Sequence, residues 1–300
     1  MNILITGASG LIGSAVNQLL QTSGHRVFTM SRKDTHAAFY WRETAPRQWR
    51  IDWDEDTTID AVIHLAGESV GNKRWSTIKK QRICRSRIDT TKALVEKLGQ
   101  LQHKPEVLIS ASAIGFYGDN GEEEVTEDSP AGNDFFATLA QNWEQEANRA
   151  AQHGVRVVNL RTGLVLSKHG GALPSMLPPF KLGLGGRLGN GRQWMSWISD
   201  TDIARLIVFL LENPKAQGPV NAVNAAPVRN AEFTVQLASA VCRPALMHMP
   251  KLVVKLLFGE MGDLLLLSSI KVKPARAQQL GFEFEDTELN NTLVQRVSED

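Results

Sequence analysis

The chain has 300 residues, 42% of them apolar and 22% charged, a balance that excludes disordered, collagen-like and coiled-coil classes. Its length fits one α/β domain, or one domain with a smaller appended lobe. Lys and Arg number 33 against 32 Asp and Glu, so the net charge of +1 gives no pull towards nucleic acid or an anionic membrane. The two cysteines, Cys84 and Cys242, lie far apart and make neither a disulfide framework nor a zinc motif; no metal site is expected. Met1-Asn2-Ile3-Leu4 carries no basic n-region, and the greasiest stretch, 252–267, is broken by Lys255, Glu260 and Asp263. A signal peptide and a membrane span are therefore not expected, and a cytoplasmic protein is.

Strand and helix alternate from the first residue. Asn2 to Thr6 reads as a strand ending in glycines, and 11–22 has helical spacing at Leu11, Ala15, Leu19 and Leu20. Further strands are expected at 25–31, 61–66, 107–110, 155–160 and 220–223, with helices at 78–98, 136–152 and 201–212. Strands separated by helices imply parallel βαβ units, hence a Rossmann-type doubly wound parallel sheet with its ligand beyond the carboxyl ends of the strands. The Gly- and Pro-rich stretch from Leu166 to Trp197 interrupts the alternation, and a second non-sheet region runs from Asn230 to the end. The expected division is a dinucleotide-binding domain of residues 1–165 plus 198–226 and a substrate-side lobe of 166–197 plus 227–300. The acidic run 122–128 reads as a solvated loop.

The sharpest signal is Thr6-Gly7-Ala8-Ser9-Gly10-Leu11-Ile12-Gly13, between a strand and a helix. The first glycine permits a tight turn, the second lets backbone approach a pyrophosphate, and the third lets helix pack on strand. The anion then sits on free N–H groups at the helix N-terminus. Thr6, Gly7, Ser9, Gly10, Leu11, Ile12 and Gly13 are the expected cofactor contacts. An NAD site wants an acid at the tip of the second strand, but that strand ends Met30-Ser31-Arg32-Lys33. A hydroxyl and cations suit a 2′-phosphate, so Ser31 and Arg32 point to NADP.

With these motifs in place, the chain resembles the extended short-chain dehydrogenase/reductase family. Gly7, Gly10 and Gly13 have that family's spacing. His64-Leu65-Ala66-Gly67 resembles its second cofactor motif, which adds Leu65, Ala66 and Gly67 to the expected contacts. Residues 87–96 resemble its helix motif, with Arg87 where the family often has Asn. Residues 110–118 resemble its active-site serine strand, and Arg161-Thr162-Gly163 its fifth-strand arginine motif; Arg161 either fixes a cofactor or substrate anion or makes a structural salt bridge. Residues 68–75, Trp143-Glu144, 191–197, Pro274 and 281–284 are similar to an atypical branch, the "epimerase family protein" group, with a short extra domain at about 247–293.

One feature of the resemblance fails. The family's acid/base Tyr and its Lys stand four residues apart on one helix face. Aligned on Trp143-Glu144, those positions hold Phe136 and Ala140; no lysine lies between Lys104 and Lys168, and the only tyrosines are Tyr40 and Tyr117. Phe136 either packs as core or stacks beside the ligand. The remaining candidates for chemistry are Ser112 to orient a substrate oxygen, with Tyr117 or Glu68 to handle the proton; the alternatives are a serine satisfied by backbone, a packed tyrosine with a bonded hydroxyl and a solvated or ion-paired glutamate. Lys73, Arg74, Arg82, Arg85 and Arg87 either add positive charge near the mouth or line a solvated helix face. His64 reads as a packed histidine and Cys84 as inert. The 183–191 glycine run reads as a loop bordering the pocket, with Trp194 and Trp197 as its wall or as packing. The expected function is an NADP-dependent oxidoreductase or epimerase acting on a carbonyl or nucleotide-sugar substrate. A non-catalytic NADP(H) sensor is the alternative. The apolar 252–267 stretch is either core or a homodimer patch.

Overall fold

The computed structural model describes residues 1–30, 32, 38–54, 56–71 and 74–298. Six parallel strands form the central sheet, in the order Gly218–Ala222, Arg156–Thr162, Val107–Ala113, Ala61–His64, Asn2–Thr6, Arg26–Met30. The strand order reverses beside Asn2–Thr6, with Arg26–Met30 on one flank and Ala61–His64 on the other. A crevice therefore opens beyond the carboxyl ends of Asn2–Thr6 and Ala61–His64, the switch point at which such sheets bind ligands.

Both faces of the sheet are covered, and the pleat decides which residue meets which cover. Ile3, Ile5, Ile63, Ile109 and Leu160 face the Leu11–Thr22 and Asp200–Glu212 helices through Val16, Leu20, Ile203 and Leu206. Leu4, Val62, Leu108 and Val157 face the Thr77–Gln100 and Phe135–Asn148 helices through Leu94, Leu98 and Ala147. Three of these helices start on a side-chain cap: Ser76 accepts from Lys79 N–H, Asp134 from Ala137 N–H and Ser199 from Asp202 N–H. The Leu11–Thr22 helix starts at Gly10 with no side-chain cap and no acidic residue in its first turn.

Two segments differ from the sequence reading. The Phe39–Ala45 and Gln48–Trp53 strands, an antiparallel hairpin, have no counterpart in it. Phe39 and Trp41 point inward while Tyr40 and Arg42 alternate with them, so the hairpin lies on the second face of the sheet instead of adding an edge strand. The acidic 122–128 run is not simply a solvated loop. Its Glu124–Val125 segment pairs with Lys271–Val272, and the buried Glu127 accepts from the N–H groups of Asn221 and Arg276.

Outside the sheet, Leu166, Leu173, Phe180, Trp197, Phe233, Leu237 and Leu293 form a separate apolar core. Asp202, fully buried, fastens the C-terminal segment to the sheet-covering helix. Its carboxylate accepts from Arg205 Nη1 at 2.7 Å and from the backbone N–H groups of Glu285 and Asp286, each at 3.0 Å. Asp202→Ala strands two donors in a buried setting and is expected to cost about 2–4 kcal/mol. Urea unfolding checks it: a lower midpoint at unchanged slope is expected, and an unchanged midpoint would discount the clasp.

Candidate active site and cofactor crevice

The glycine loop is shaped by contact with the second motif. Gly7 has φ +73°, and a β-carbon there would stand 2.9 Å from Ala66 N and from the Leu65 carbonyl. At Gly13 a β-carbon would stand 2.2 Å from Gly7 O, so only glycine lets the helix seat on the loop. Gly10 meets only Gly7 O, at 3.2 Å, and its other side is open. Ser9 and Gly10 are exposed and Leu11 and Ile12 partly so, at an uncapped helix end. Thr6, Gly7, Ser9, Gly10, Leu11, Ile12, Gly13, Leu65, Ala66 and Gly67 thus gather at the switch point. Gly170 and Gly171 border the same spot: a β-carbon on Gly171 would lie 2.9 Å from Leu11 Cδ2. Arg32 is exposed; Ser31, like Lys73, lies outside the described residues.

A buried hydrogen-bond chain locks the two loops. Thr91 Oγ1 donates to Arg87 O at 2.6 Å, so it can only accept from Trp143 Nε1 and from His64 Nε2, each at 2.9 Å. The His64 proton therefore sits on Nε2. Nδ1 is left to accept from Thr6 Oγ1 at 2.7 Å, and Thr6 Oγ1 in turn accepts from Ala66 N–H at 3.3 Å. This chain needs a neutral ring. Burial agrees, pulling the His64 pKa down to about 4.

Arg87 gains a role that the sequence reading left open. Its guanidinium lies over the Trp143 ring, 5.2 Å from the centroid, and Nη1 donates to Ile83 O at 3.2 Å. Nη2 and Nε face Gly67, 3.3 and 3.5 Å from where a β-carbon would stand. No carboxylate among the described residues makes an ion pair with it, and burial pulls its pKa down to about 10. The available signal was its departure from the usual Asn.

Four of the candidate residues have partners of their own in the fold. Arg161 is not free for a cofactor: Nε and Nη2 hold the Glu144 carboxylate at 2.8 and 2.9 Å, and Nη1 donates to Tyr117 Oη at 3.0 Å and to Glu127 O. Ser112 donates to Glu144 Oε1 at 2.6 Å, so its hydroxyl proton is committed. Tyr117 is 2% exposed, donates to Asn221 Oδ1 at 2.6 Å, and burial pushes its pKa up to about 12. Partial burial raises the Glu68 pKa, but Lys79 at 2.6 Å and Arg82 at 3.0 Å outweigh it and hold the carboxyl below its usual range. A carboxylate held anionic by two cations is a poor base. Glu144 was the missed residue, a lone acid on an otherwise apolar helix face facing a buried arginine.

Phe136 stands over the turn that follows the serine strand; a β-carbon on Gly115 would be 2.9 Å from Phe136 Cβ. Its ring meets Trp75 edge-on at 5.1 Å, and Phe135 at 5.6 Å completes a half-buried aromatic cluster. Ala140 is buried in the helix. Neither position offers a proton donor or acceptor.

Residues 3–226 match the model of the NAD dependent epimerase/dehydratase family. The chain belongs to that family. Residues 249–295 match a second model, a domain of unknown function, DUF1731. The mouse epimerase family protein SDR39U1 is 37% identical over 302 residues, 99% of this chain and 100% of its own. The epimerase family protein Mb2239 of Mycobacterium bovis is 39% identical over 293 residues, 97% and 96% of the two chains. Human epimerase family protein SDR39U1, in a crystal structure with NADPH, superposes with a TM-score of 0.88 at 31% identity, covering 99% of each chain. MoeE5, in complex with UDP-glucuronic acid and NAD, has a TM-score of 0.76 at 20% identity and shows the shared fold alone.

For this member of the NAD(P)-binding epimerase/dehydratase family, the His64 chain sets a pH dependence. The folded pKa is depressed below 6.5, so the unfolded chain binds the proton first. The contribution is full above about pH 6.5 and is lost as pH falls towards about 4, amounting to roughly 3 kcal/mol. His64→Gln can keep both hydrogen bonds but cannot titrate. Urea unfolding at neutral and mildly acidic pH is expected to show a smaller acid loss in this variant than in the wild type; equal losses would count against the network.

Proposed function

We propose that the protein binds NADP(H) in the switch-point crevice and takes part in hydride exchange with a carbonyl or nucleotide-sugar substrate, the proton coming from solvent and not from a side chain. One observation carries the reading. The uncapped Leu11–Thr22 helix end and the Arg87 cation meet at a single place, joined by the contact of Gly7 with Leu65-Ala66 and of Gly67 with Arg87. Both are arrangements that an anion completes. The open side of Gly10 leaves room for a diphosphate, and the exposed Arg32, two residues beyond the second strand, is the cation assigned to an added 2′-phosphate. The NADPH in the human relative's structure supports the same choice.

The bound cofactor supplies or accepts a hydride at its nicotinamide ring. The chain's own residues bind and enclose. Backbone N–H groups of Leu11, Ile12 and Gly13 would receive the diphosphate, and Arg87 would neutralise charge beside Gly67. Trp75, Phe135 and Phe136 form a wall that excludes water from one side of the site. Ser112, Glu144, Arg161 and Tyr117 hold one another through buried hydrogen bonds.

A second reading, an NADP(H) sensor without turnover, is favoured by Phe136, Ala140 and the committed hydroxyls. Incubation with NADPH and a panel of nucleotide sugars, quinones and small carbonyls separates the two. Loss of reduced nicotinamide absorbance, or isomerised sugar, supports hydride exchange; binding with no conversion supports the sensor. The cofactor assignment has its own test in fluorescence titration. Arg87→Ala is expected to weaken NADPH and NADH alike, by about 1.5–3 kcal/mol or a factor of about 10–100. Arg32→Asp is expected to weaken NADPH far more than NADH, and equal effects would defeat the 2′-phosphate assignment.

A further inference from the structure

Three aromatic rings stand together on the carboxyl side of the sheet. Trp75 precedes the Thr77–Gln100 helix, and Phe135 and Phe136 open the Phe135–Asn148 helix. Those helices follow the Ala61–His64 and Val107–Ala113 strands, so their N-terminal ends lie on the side where the crevice opens. The Trp75 ring is 5.5 Å from that of Phe135 and 5.1 Å from that of Phe136, and its Nε1 donates to Val70 O at 2.9 Å, which fixes the indole. Lys80 Nζ lies 4.7 Å from the Phe135 centroid while it pairs with Glu260 at 2.8 Å. None of the three rings is fully buried, so each keeps surface for a partner.

What such a site can reduce depends on where the new charge goes. Hydride delivered to the carbon of an isolated ketone leaves an alkoxide, about as basic as hydroxide, whose conjugate acid has a pKa of about 15.7. That oxyanion needs a proton donor beside it as it forms. In the serine-strand region the hydroxyl protons are spent, Ser112 on Glu144 and Tyr117 on Asn221. Glu68 is an anion between Lys79 and Arg82, and Phe136 and Ala140 carry no proton to give. A quinone has no such need. Its two-electron reduction leaves a phenolate-like anion, whose conjugate acid resembles the tyrosine side chain with a pKa of about 10. Its flat ring also suits stacking on indole and phenyl faces.

We infer, resting on the NADP(H) assignment above, that within the carbonyl class the substrate is a quinone, stacked on the cluster of Trp75, Phe135 and Phe136. The quinone takes a hydride, one proton with two electrons, from the reduced nicotinamide. One carbonyl oxygen gains an O–H bond, the C–H bond on the donor ring breaks, and the cofactor is left oxidised. The electron pair spreads through the quinone ring to the second oxygen, giving the hydroquinone monoanion. Water protonates that anion after the transfer, so one NADPH, one quinone and one proton become one NADP⁺ and one hydroquinone. The aromatic cluster supplies orientation, and no side chain changes its protonation state.

Menadione, a naphthoquinone, is the probe. Equilibrium dialysis against the full chain without cofactor is expected to show saturable binding, weakened about five- to tenfold in Trp75→Ala and largely kept in Trp75→Phe. Under argon with NADPH present, one menadione is expected to be reduced per NADPH consumed, at a rate level between about pH 6 and pH 9 because no side chain supplies the proton. Cyclohexanone is expected to be inert. Absence of menadione binding overturns the inference, as do equal losses in Trp75→Ala and Trp75→Phe. Turnover of cyclohexanone or UDP-glucose at a rate matching menadione overturns the quinone assignment and keeps hydride exchange. Menadione bound without transfer overturns it in favour of the sensor. Failure of NADPH itself to bind in fluorescence titration removes the cofactor assignment, and the inference with it.

Discussion

Two opposite charges, Arg161 and Glu144, lie buried in contact, and much of the site is arranged around the cost of placing them there. Removing both from water is expensive, and the attraction between them offsets it only when the geometry is bidentate and the remaining atoms are satisfied. Both conditions are met. Nε and Nη2 hold the two carboxylate oxygens, Ser112 donates to Glu144 Oε1, and Nη1 turns to Tyr117 and to Glu127 O. The guanidinium also lies 3.4 Å from the Phe116 ring centroid. From Tyr117 the chain continues through Asn221 to Lys273 O, so the same pair ties the carboxyl ends of three sheet strands to the C-terminal lobe.

That commitment occupies the polar groups around the serine strand. A serine or tyrosine that donates to a structural acceptor has no proton to lend, and Arg161 has no face left for a substrate anion. The hydroxyls in the serine-strand region became structural where the helix opposite carries Phe136 and Ala140 in place of a proton shuttle. The anion-binding half of the crevice is built on the opposite principle, with donors left over. The Leu11–Thr22 helix has no side-chain cap while three neighbouring helices are capped, and Arg87 lies against the Trp143 ring and the Ile83 carbonyl with no ion-paired carboxylate among the described residues. One half of the site is closed on itself, and the other keeps donors that the proposed cofactor would engage.

The His64 chain joins the halves. It runs from Thr6 under the glycine loop, through His64 and Thr91, to Trp143, whose ring carries the Arg87 guanidinium. Each member has one proton assignment that satisfies all its neighbours. The chain therefore sets the spacing between the phosphate loop, the second motif and the helix bearing Phe136, and a charged imidazole would break it at Thr6.

The alternation of short apolar strands and periodic helices, with Gly7, Gly10 and Gly13 at the first junction, determined the parallel sheet and the cofactor crevice, because period and glycine placement are local properties of a chain. The absence of a Tyr and Lys pair on the Phe135–Asn148 helix was also legible, since a missing residue type needs no geometry to be noticed. What the tertiary structure decided was which polar groups remain available. Ser112, Tyr117, Glu68 and Arg161 look like reagents when read singly, and become fixtures once partners from distant segments are beside them: Glu144 from one helix, Asn221 from the edge strand, Lys79 from another helix. The Phe39–Trp53 hairpin and the buried Glu127 follow the same rule. Whether a strand joins the sheet edge or covers its face, and whether an acid meets water or two backbone donors, depends on contacts between residues far apart in the chain, and no local pattern encodes them.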